Sequence, residues 1–229
     1  MRVFVPSLGR AHHVPRMESL AGNSHLVWLV PEDEEPAYRE AGAKMVVTGP
    51  REKSAKINEA LDRFGNEWCV FSDDDCHGLV RLGRNQEVVP LTLGDAANHF
   101  VAAGRRHREH LVSITALTNR HFMGPSVTPW GQTVGWFFAV APGTSIRLDE
   151  SLPTAEDLDF AARCFRRYGS IARPNYIQGD YRVGGQDSHF DHSPEAKAAA
   201  FAELALRYPE LFRADGDKII YLRQRRRAR

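Results

Sequence analysis

The stretch 68-WCVFSDDDCHGLV-80 places three consecutive aspartates at the end of an apolar run. Three neighbouring carboxylates repel one another, and Asp is a poor former of both helices and strands. A chain that needed only a turn after Phe71 has simpler choices in Asn-Gly or Ser-Gly. The triplet therefore marks either a solvated acidic loop or a place where a positive charge meets the protein.

The residues before the triplet alternate between apolar, β-branched runs and segments with helical character. The apolar runs are 2-RVFVP-6, 26-LVWLVP-31, 44-KMVVTG-49 and 67-EWCVFS-72. The helical segments, 33–42 and 53–65, lie between these runs, and each ends in Gly, a common helix terminator. This alternation predicts an α/β fold of the Rossmann type, with a mostly parallel central sheet and helices on both faces.

Polar residues follow three of the predicted strands, at 6-PSLGR-10, 31-PEDE-34 and 73-DDD-75. Ligands of parallel sheets bind beyond the carboxyl ends of the strands, where all three segments fall. Carboxylates are hard oxygen ligands that suit Mg²⁺ or Mn²⁺. In an extended segment Asp73 and Asp75 share one face and Asp74 takes the other. We therefore expect a divalent ion at this edge that also binds a diphosphate.

The second half of the chain is less regular. Helices are predicted at 94–110, 155–169 and 194–207, and strands at 111–117, 133–141, 170–177 and 218–222. No internal repeat or low-complexity linker divides the chain. We expect one domain, 1–222, with a nucleotide-sugar half (1–92) and an acceptor half (93–222), followed by a basic tail at 223–229.

Composition limits the choice of partner and compartment. The 229 residues carry a formal net charge of +1, so any affinity for polyanions must come from local patches. The three cysteines form no CxxC pair, which suggests a reducing compartment. The longest apolar segment, around 134–142, is too short to span a bilayer. We expect a cytoplasmic protein (host cytoplasm if it is viral) without a membrane partner, and the oligomeric state stays open.

Five segments together resemble GT-A fold glycosyltransferases. They are 5-VPSLGRA-11, 28-WLVPEDE-34, 53-KSAKINEAL-61, 71-FSDDD-75 and 154-TAEDLDF-160. In that family an Asp-x-Asp motif closes the nucleotide-binding half and holds a divalent metal on the diphosphate of the sugar nucleotide. A Glu-Asp motif opens a helix beneath the acceptor site. The resemblance covers the chain from residue 2 to about residue 170.

Within the family, the chain looks closest to the phage TET-associated glycosyltransferases. The compact length, 5-VPSLGRA-11, 71-FSDDD-75 and the basic tail carry this likeness. It implies a nucleotide-sugar donor, with UDP as the default nucleotide. It also implies an acceptor hydroxyl on 5-hydroxymethylcytosine in DNA, the product of a TET-like dioxygenase.

The resemblance also assigns roles to individual residues. Nucleotide-sugar binding falls to Pro6, Ser7, Arg10, Glu32, Asp33, Lys53, Lys56, Asn58, Asp73 and Asp74. Metal binding, of Mn²⁺ or Mg²⁺, falls to Asp73, Asp75 and His189, with His192 as the alternative to His189. Glu156 and Asp157 are the catalytic candidates, and Asp157 is the base if the anomeric centre inverts. The simpler interpretation is that acidic residues in a first helical turn stabilise the helix.

Acceptor binding is expected of Arg120, Trp130 and Trp136. Trp130, between Pro and Gly, is the best candidate for an exposed stacking platform. Trp136 belongs to 136-WFF-138, at least two residues of which are expected in the core. Phosphate contacts are expected from Arg105, Arg106, Arg108 and the tail.

Four alternatives remain open. The acceptor can be a saccharide or a small molecule instead of DNA. The chain can be a sugar-nucleotide nucleotidyltransferase, although 6-PSLGRAHH-13 lacks the Gly-rich basic loop usual after the first strand of those enzymes. It can be a non-enzymatic sugar- or nucleic-acid-binding module. It can also be a two-metal nuclease, although the sequence has no further set of spaced carboxylates to pair with the triplet.

Overall fold

The first half of the chain alternates strands and helices, as predicted. In this computed structural model, residues 1–114, 121, 123–131, 134–152, 154–180, 193–222 and 224 are described. The first elements are β1 (Arg2–Pro6), α1 (Val14–Leu20), β2 (His25–Pro31), α2 (Glu35–Glu40), β3 (Met45–Gly49), α3 (Lys53–Phe64) and β4 (Cys69–Ser72). Short 3-10 turns at Ala11–His13 and Glu32–Glu34 precede α1 and α2.

The second half adds shorter strands around three longer helices. Its elements are β5 (Gly78–Leu82), β6 (Val88–Leu91), α4 (Leu93–His107), β7 (Leu111–Ile114), β8 (Val127–Thr128), β9 (Val134–Val140), α5 (Glu156–Tyr168), β10 (Arg173–Pro174), β11 (Ile177–Asp180), α6 (Pro194–Arg207), β12 (Phe212–Asp215) and β13 (Lys218–Tyr221). Among the described residues, no helix combines the length and the apolar character that a membrane crossing requires.

Six strands form the central sheet, in the order β3-β2-β1-β4-β9-β7. Strands β1 to β4 pair in parallel, whereas β9 runs antiparallel to both of its neighbours. Since β4 and β7 are both antiparallel to β9, they are parallel to each other. The structure thus confirms the predicted α/β class, a Rossmann-type, GT-A-like arrangement with a mostly parallel sheet.

The period-2 pattern of the buried strands explains the layers. In β1, Val3 and Val5 enter a core that also contains α1 and α4, whereas Phe4 enters the opposite core with α3 and α5. Strands β2 and β4 divide their side chains in the same way, because successive residues of a strand point to opposite faces, whereas in β9 both Trp136 and Phe137 enter the α4 side. Helices therefore cover both faces of the sheet.

Three small sheets lie outside the central one. Strand β5 begins three residues after Asp75 and pairs with β6 and β11, while β8 pairs with β10 and β12 pairs with β13. The predicted strand 170–177 is instead divided between β10 and β11. Pattern analysis also missed the β5–β6 hairpin, because Pro90 and the exposed residues at its turn weaken the strand signal.

Phe100 of α4 offers a direct test of this packing. Its fully buried ring meets Phe137 of β9 edge-on, with ring centroids 4.9 Å apart. We expect Phe100→Ala to lower the free energy of unfolding by about 3–5 kcal/mol, because it removes a large core side chain and leaves a cavity. The matched control is Leu206→Ala on α6, whose side chain is 83% exposed and whose loss should cost less than about 0.5 kcal/mol. Similar denaturation midpoints for the two variants would contradict this packing.

Candidate functional site

The loops after β1 to β4 gather at one edge of the sheet, because the carboxyl ends of parallel strands coincide. The aspartate triplet begins immediately after β4. The main-chain N–H of Asp73 donates to the carbonyl oxygen of Trp136, at 2.7 Å. The triplet thus occupies the predicted edge, and its first residue is fixed against β9.

Asp74 is held by the protein itself. Arg10 donates to its Oδ1 at 2.8 Å, Ser7 donates to its Oδ2, and Arg16 donates to its carbonyl oxygen at 3.0 Å. Burial would raise the pKa of Asp74, but hydrogen bonds from His13 and Ser7, together with the Arg10 charge, outweigh it and lower the pKa. The Asp74 carboxylate therefore anchors the loop after β1.

That loop is fixed from two further elements. The hydroxyl of Tyr38 lies 2.6 Å from Ser7 Oγ and accepts a bond from the main-chain N–H of Arg10 at 3.1 Å. Lys56 of α3 donates to the carbonyl oxygen of Ser7. Burial lowers the pKa of Lys56 to about 8. Ser7, Arg10 and Lys56 therefore shape this loop through protein contacts.

Asp73 turns away from Asp74 toward α3. Its Oδ1 lies 2.7 Å from the ammonium of Lys53, the first residue of that helix. Burial alone would lower the pKa of Lys53, but the charges of Asp73 and Glu156 outweigh it and raise the pKa. Burial raises the pKa of Asp73 itself. Lys53 is thus the cation that balances this side of the site.

Glu156 and Asp157 open α5 beside Lys53. Asp157 accepts hydrogen bonds from the main-chain N–H groups of Gly135, at 2.7 Å, and Leu158, at 2.8 Å. Burial raises the pKa of Asp157, and burial together with the neighbouring Asp157 charge raises the pKa of Glu156 to about 7. Helix α5 therefore begins with two carboxylates, of which Asp157 is the more firmly held by hydrogen bonds.

Lys53, Glu156 and Asp157 form the rim of a small cleft between the sheet, α3 and α5. Its empty volume is about 340 Å³, a figure that includes open solvent at its mouth. The lining residues are Lys53, Ile57, Leu111, Ser113, Gly135, Phe138, Leu148, Glu156, Asp157, Phe160 and Ala161. One ammonium and two carboxylates thus face a mainly apolar interior, where charge interactions are weakly screened.

Gly135 is a site residue that pattern analysis missed. A Cβ atom at this position would lie 2.6 Å from the Cβ of Asp157, so only Gly allows the helix start to approach β9 so closely. An isolated Gly inside a strand pattern is a known signal of close backbone approach. That signal was present in 134-VGWFFAV-140.

Asp75 has the features expected of a metal ligand. Its Oδ1 is buried and has no hydrogen-bond partner among the residues that the structure describes, while its side chain is 25% exposed and lies 3.8 Å from Arg10. Burial and the charges of Asp73 and Asp74 raise its pKa to about 6. Mg²⁺ commonly uses one or two carboxylates plus substrate phosphates, so Asp73 and Asp75 fit such an ion. Within the described ranges, no group of three or more His, Cys, Asp or Glu side chains is arranged to hold a metal.

Two predicted acceptor residues are core residues. Trp130 is 6% exposed, and its ring packs against Phe165 of α5 and Phe212 of β12, with centroid distances of 4.8 and 5.5 Å. The expectation of an exposed platform is therefore wrong. Trp136 is 4% exposed and joins the core on the α4 side of the sheet.

Asn58 also differs from its prediction. Its side-chain amide donates to the carbonyl oxygen of Leu148 at 3.0 Å, and its Oδ1 accepts from the N–H of Leu148 at 2.8 Å. The amide further donates to Glu150, at 2.7 Å. These bonds fix the chain before α5, so both polar ends of the Asn58 side chain already bond protein groups.

The remaining predicted residues are dispersed. Pro6 is buried at the end of β1, and Glu32 is exposed in the 3-10 turn after β2. Asp33 bonds to Arg51, with distances of 3.0 and 2.9 Å, in an exposed pair. Arg120, His189 and His192 lie outside the described residues, as does the tail apart from Gln224. Arg105, Arg106 and Arg108 are exposed at the end of α4.

No protein-family model matches the sequence, and no curated protein matches it significantly. Solved structures do match. A 4-diphosphocytidyl-2C-methyl-D-erythritol synthase from Anaerococcus prevotii DSM 20548 is 10% identical, with a TM-score of 0.37, over 89% of this chain and 97% of that chain. A UDP-glucose pyrophosphorylase complexed with UDP-glucose is 6% identical, with a TM-score of 0.45, over 91% and 98%. A cytidylyltransferase from Leptospira borgpetersenii serovar Hardjo-bovis is 10% identical, with a TM-score of 0.40, over 91% and 94%.

These three proteins are nucleotidyltransferases with a Rossmann-like nucleotide-binding fold. At such low identities and TM-scores, the likeness says nothing about the reaction of this chain. None of the three is a phage glycosyltransferase, so that resemblance stays a prediction from the sequence motifs. The DNA acceptor likewise stays a prediction from the sequence motifs.

Glu156 makes the electrostatics of the site testable by stability. Because its pKa rises from 4.5 to about 7 on folding, the folded state holds a proton that the unfolded state loses first. The free energy of unfolding should therefore fall as the pH rises from about 4.5 to 7. In Glu156→Gln this loss disappears, so the stability of the variant relative to wild type should increase from pH 5 to pH 8 in urea denaturation. Exposed Glu40→Gln is the control, and a pH-independent Glu156→Gln difference would contradict the assignment.

Proposed function

We propose that this protein is a divalent-metal-dependent glycosyltransferase that uses a nucleotide-sugar donor. The observation that carries the proposal is the meeting of two distant acidic segments, 73–75 and 156–157, around Lys53 at the carboxyl edge of the sheet. Donor diphosphate chemistry needs oxygen ligands for a metal and a cation for phosphate, and transfer to a hydroxyl needs a base. Lys53, Glu156 and Asp157 line one cleft, and Lys53 joins it to the triplet through its contact with Asp73.

Each group has a defined task in this proposal. Asp73 and Asp75 would hold Mn²⁺ or Mg²⁺, which when bound supplies positive charge to the departing nucleoside diphosphate. Lys53 adds a second cation that can bond a phosphate oxygen. Ser7, Arg10 and Asp74 keep the loop after β1 in place, so that the main chain beside the donor is rigid.

The transfer itself exchanges one carbon–oxygen bond for another. The acceptor hydroxyl oxygen bonds to the anomeric carbon, the bond from that carbon to the diphosphate breaks, and the hydroxyl proton moves to a carboxylate. Glu156 is suited to take that proton, because it makes no hydrogen bond to another described residue and its pKa of about 7 matches neutral conditions. Asp157, held by two N–H donors, orients the start of α5 and remains the alternative base. Retention of configuration would require a different arrangement.

Sugar-nucleotide nucleotidyl transfer is the second candidate. One observation favours it: Arg10, Arg16 and the His13 ring surround Asp74 at the loop after β1, where a triphosphate would meet the two guanidinium groups. The two reactions are separated by their products, since nucleotidyl transfer releases pyrophosphate from a nucleoside triphosphate and glycosyl transfer releases a nucleoside diphosphate.

The finer assignment concerns donor and acceptor. By resemblance, we propose a UDP-sugar donor and 5-hydroxymethylcytosine in DNA as the acceptor, with saccharides or small molecules as the alternative. The exposed arginines at the end of α4 and the basic tail would contact phosphates.

The decisive experiment combines Mn²⁺, a panel of sugar nucleotides and hydroxymethylcytosine-containing DNA, with mass analysis of the nucleosides and of the released nucleotide. Asp73→Asn and Asp75→Asn should each lower turnover at least about 100-fold, because a lost metal ligand removes charge from the leaving diphosphate. Exposed Asp217→Asn, in the β12–β13 turn, is the control. Unchanged turnover in both site variants would refute the proposal, and pyrophosphate release from UTP or CTP with a sugar phosphate would favour the second candidate.

Salt dependence tests the DNA acceptor separately. If Arg105 and Arg106 contact phosphates, the double Ala variant should reduce the slope of log K against log salt by about 2, since each contact contributes about 0.9. Exposed Arg39→Ala on α2, far along the chain, serves as the control. Binding to hydroxymethylated DNA that does not respond to salt would point to a different acceptor.

A further inference from the structure

The ammonium of Lys53 lies among the carboxylates at the rim of the cleft. The ammonium of Lys53 lies 2.7 Å from Asp73 Oδ1, and Lys53 lines the same cleft as Glu156 and Asp157. Three carboxylates near one another would repel strongly in a partly buried site, and the ammonium offsets that repulsion. Lys53 thus occupies a position of strongly negative potential.

The two partners differ in how firmly they are held. The main chain of Asp73 is fixed by its hydrogen bond to Trp136, at 2.7 Å. Lys53 reaches the site on a four-carbon side chain from the first residue of α3, and such a side chain has several rotamers. When a competing cation enters, the ammonium can leave, whereas the main chain of Asp73 stays in place.

Asp75 explains why a divalent ion would compete with the Lys53 ammonium for Asp73. Its buried Oδ1 has no hydrogen-bond partner among the described residues, although the carboxylate follows Asp73 by two positions and lies 3.8 Å from Arg10. A divalent ion shared by Asp73 and Asp75 would satisfy this atom. The same ion would repel the ammonium that now bonds Asp73, because like charges at contact distance disfavour each other.

We propose that Lys53 is a displaceable internal cation: it neutralises Asp73 while the site holds no donor and yields Asp73 when a divalent ion and a diphosphate bind. Its ammonium then bonds a phosphate oxygen of the diphosphate. The inference rests on the proposed function in assigning Asp73 and Asp75 to a divalent ion. It adds that metal binding without nucleotide is weak because of Lys53.

The test measures Mn²⁺ binding to the full chain without nucleotide, from the electron paramagnetic resonance signal of free Mn²⁺. Lys53→Met keeps the length of the side chain and removes the charge, so it should bind Mn²⁺ about tenfold more tightly than wild type. Adding Asp73→Asn should abolish this gain. Lys44→Met, at a Lys paired with Glu18 far from the triplet, should bind Mn²⁺ as wild type does.

A second variant keeps the inference testable if Lys53→Met does not fold. Lys53→Arg retains the charge, and because a guanidinium bonds a carboxylate in bidentate fashion, it should weaken Mn²⁺ binding in the presence of UDP about fivefold. The inference would be overturned if Lys53→Met did not bind Mn²⁺ more tightly than wild type, or if the gain persisted after Asp73→Asn was added. Wild-type Mn²⁺ affinity of Lys53→Arg in the presence of UDP would also overturn it.

The outcome is distinguishable from that of the proposed function, since no donor sugar is present in either titration. The predicted affinity changes without transfer from any nucleotide sugar would refute the function and leave the role of Lys53 standing. Transfer by wild type with unchanged Mn²⁺ affinity in the variants would refute the role of Lys53 alone.

Discussion

The balance of charge at the carboxyl edge of the sheet is the constraint on which the site depends. Parallel pairing of β1 to β4 brings their following loops together, and the loops after β2 and β4 are acidic. Each carboxylate must find a cation or N–H donors in surroundings that solvate it poorly. Asp73 has Lys53 and Asp74 has Arg10, whereas Asp75 and Glu156 are the least compensated, and burial raises their pKa values to about 6 and 7.

The fold was predictable because its signals are local. The β-branched runs that form β1 to β4, and helix α3 with the Gly that ends it, can each be recognised in a segment of at most 13 residues. The edge position of the triplet also followed, since it requires only that consecutive strands pair in parallel. The antiparallel insertion of β9 between β4 and β7 had no such signal, because strand order depends on packing between distant segments.

Side-chain environments in the second half were less predictable for the same reason. The platform expected at Trp130 failed because α5 and β12, 35 and 82 residues further along the chain at Phe165 and Phe212, close over its ring. Asn58 was assigned to a nucleotide from its place on α3, yet its partner is the main chain of Leu148, 90 residues away. Residue type and helix position do not show which distant segment will take up a hydrogen bond.

The divided triplet bears on how metal and substrate binding are linked. Asp73 pairs with Lys53 and Asp74 pairs with Arg10, so the protein already neutralises two of the three negative charges. A site of this kind gains little from a bare divalent ion, because the ion must replace a bond that the protein already makes. A diphosphate changes this balance, since it brings negative charge to which a displaced ammonium can bond. Under the proposed function, the same charge balance would favour joint binding of ion and nucleotide, whether the group transferred were a sugar or a nucleotide.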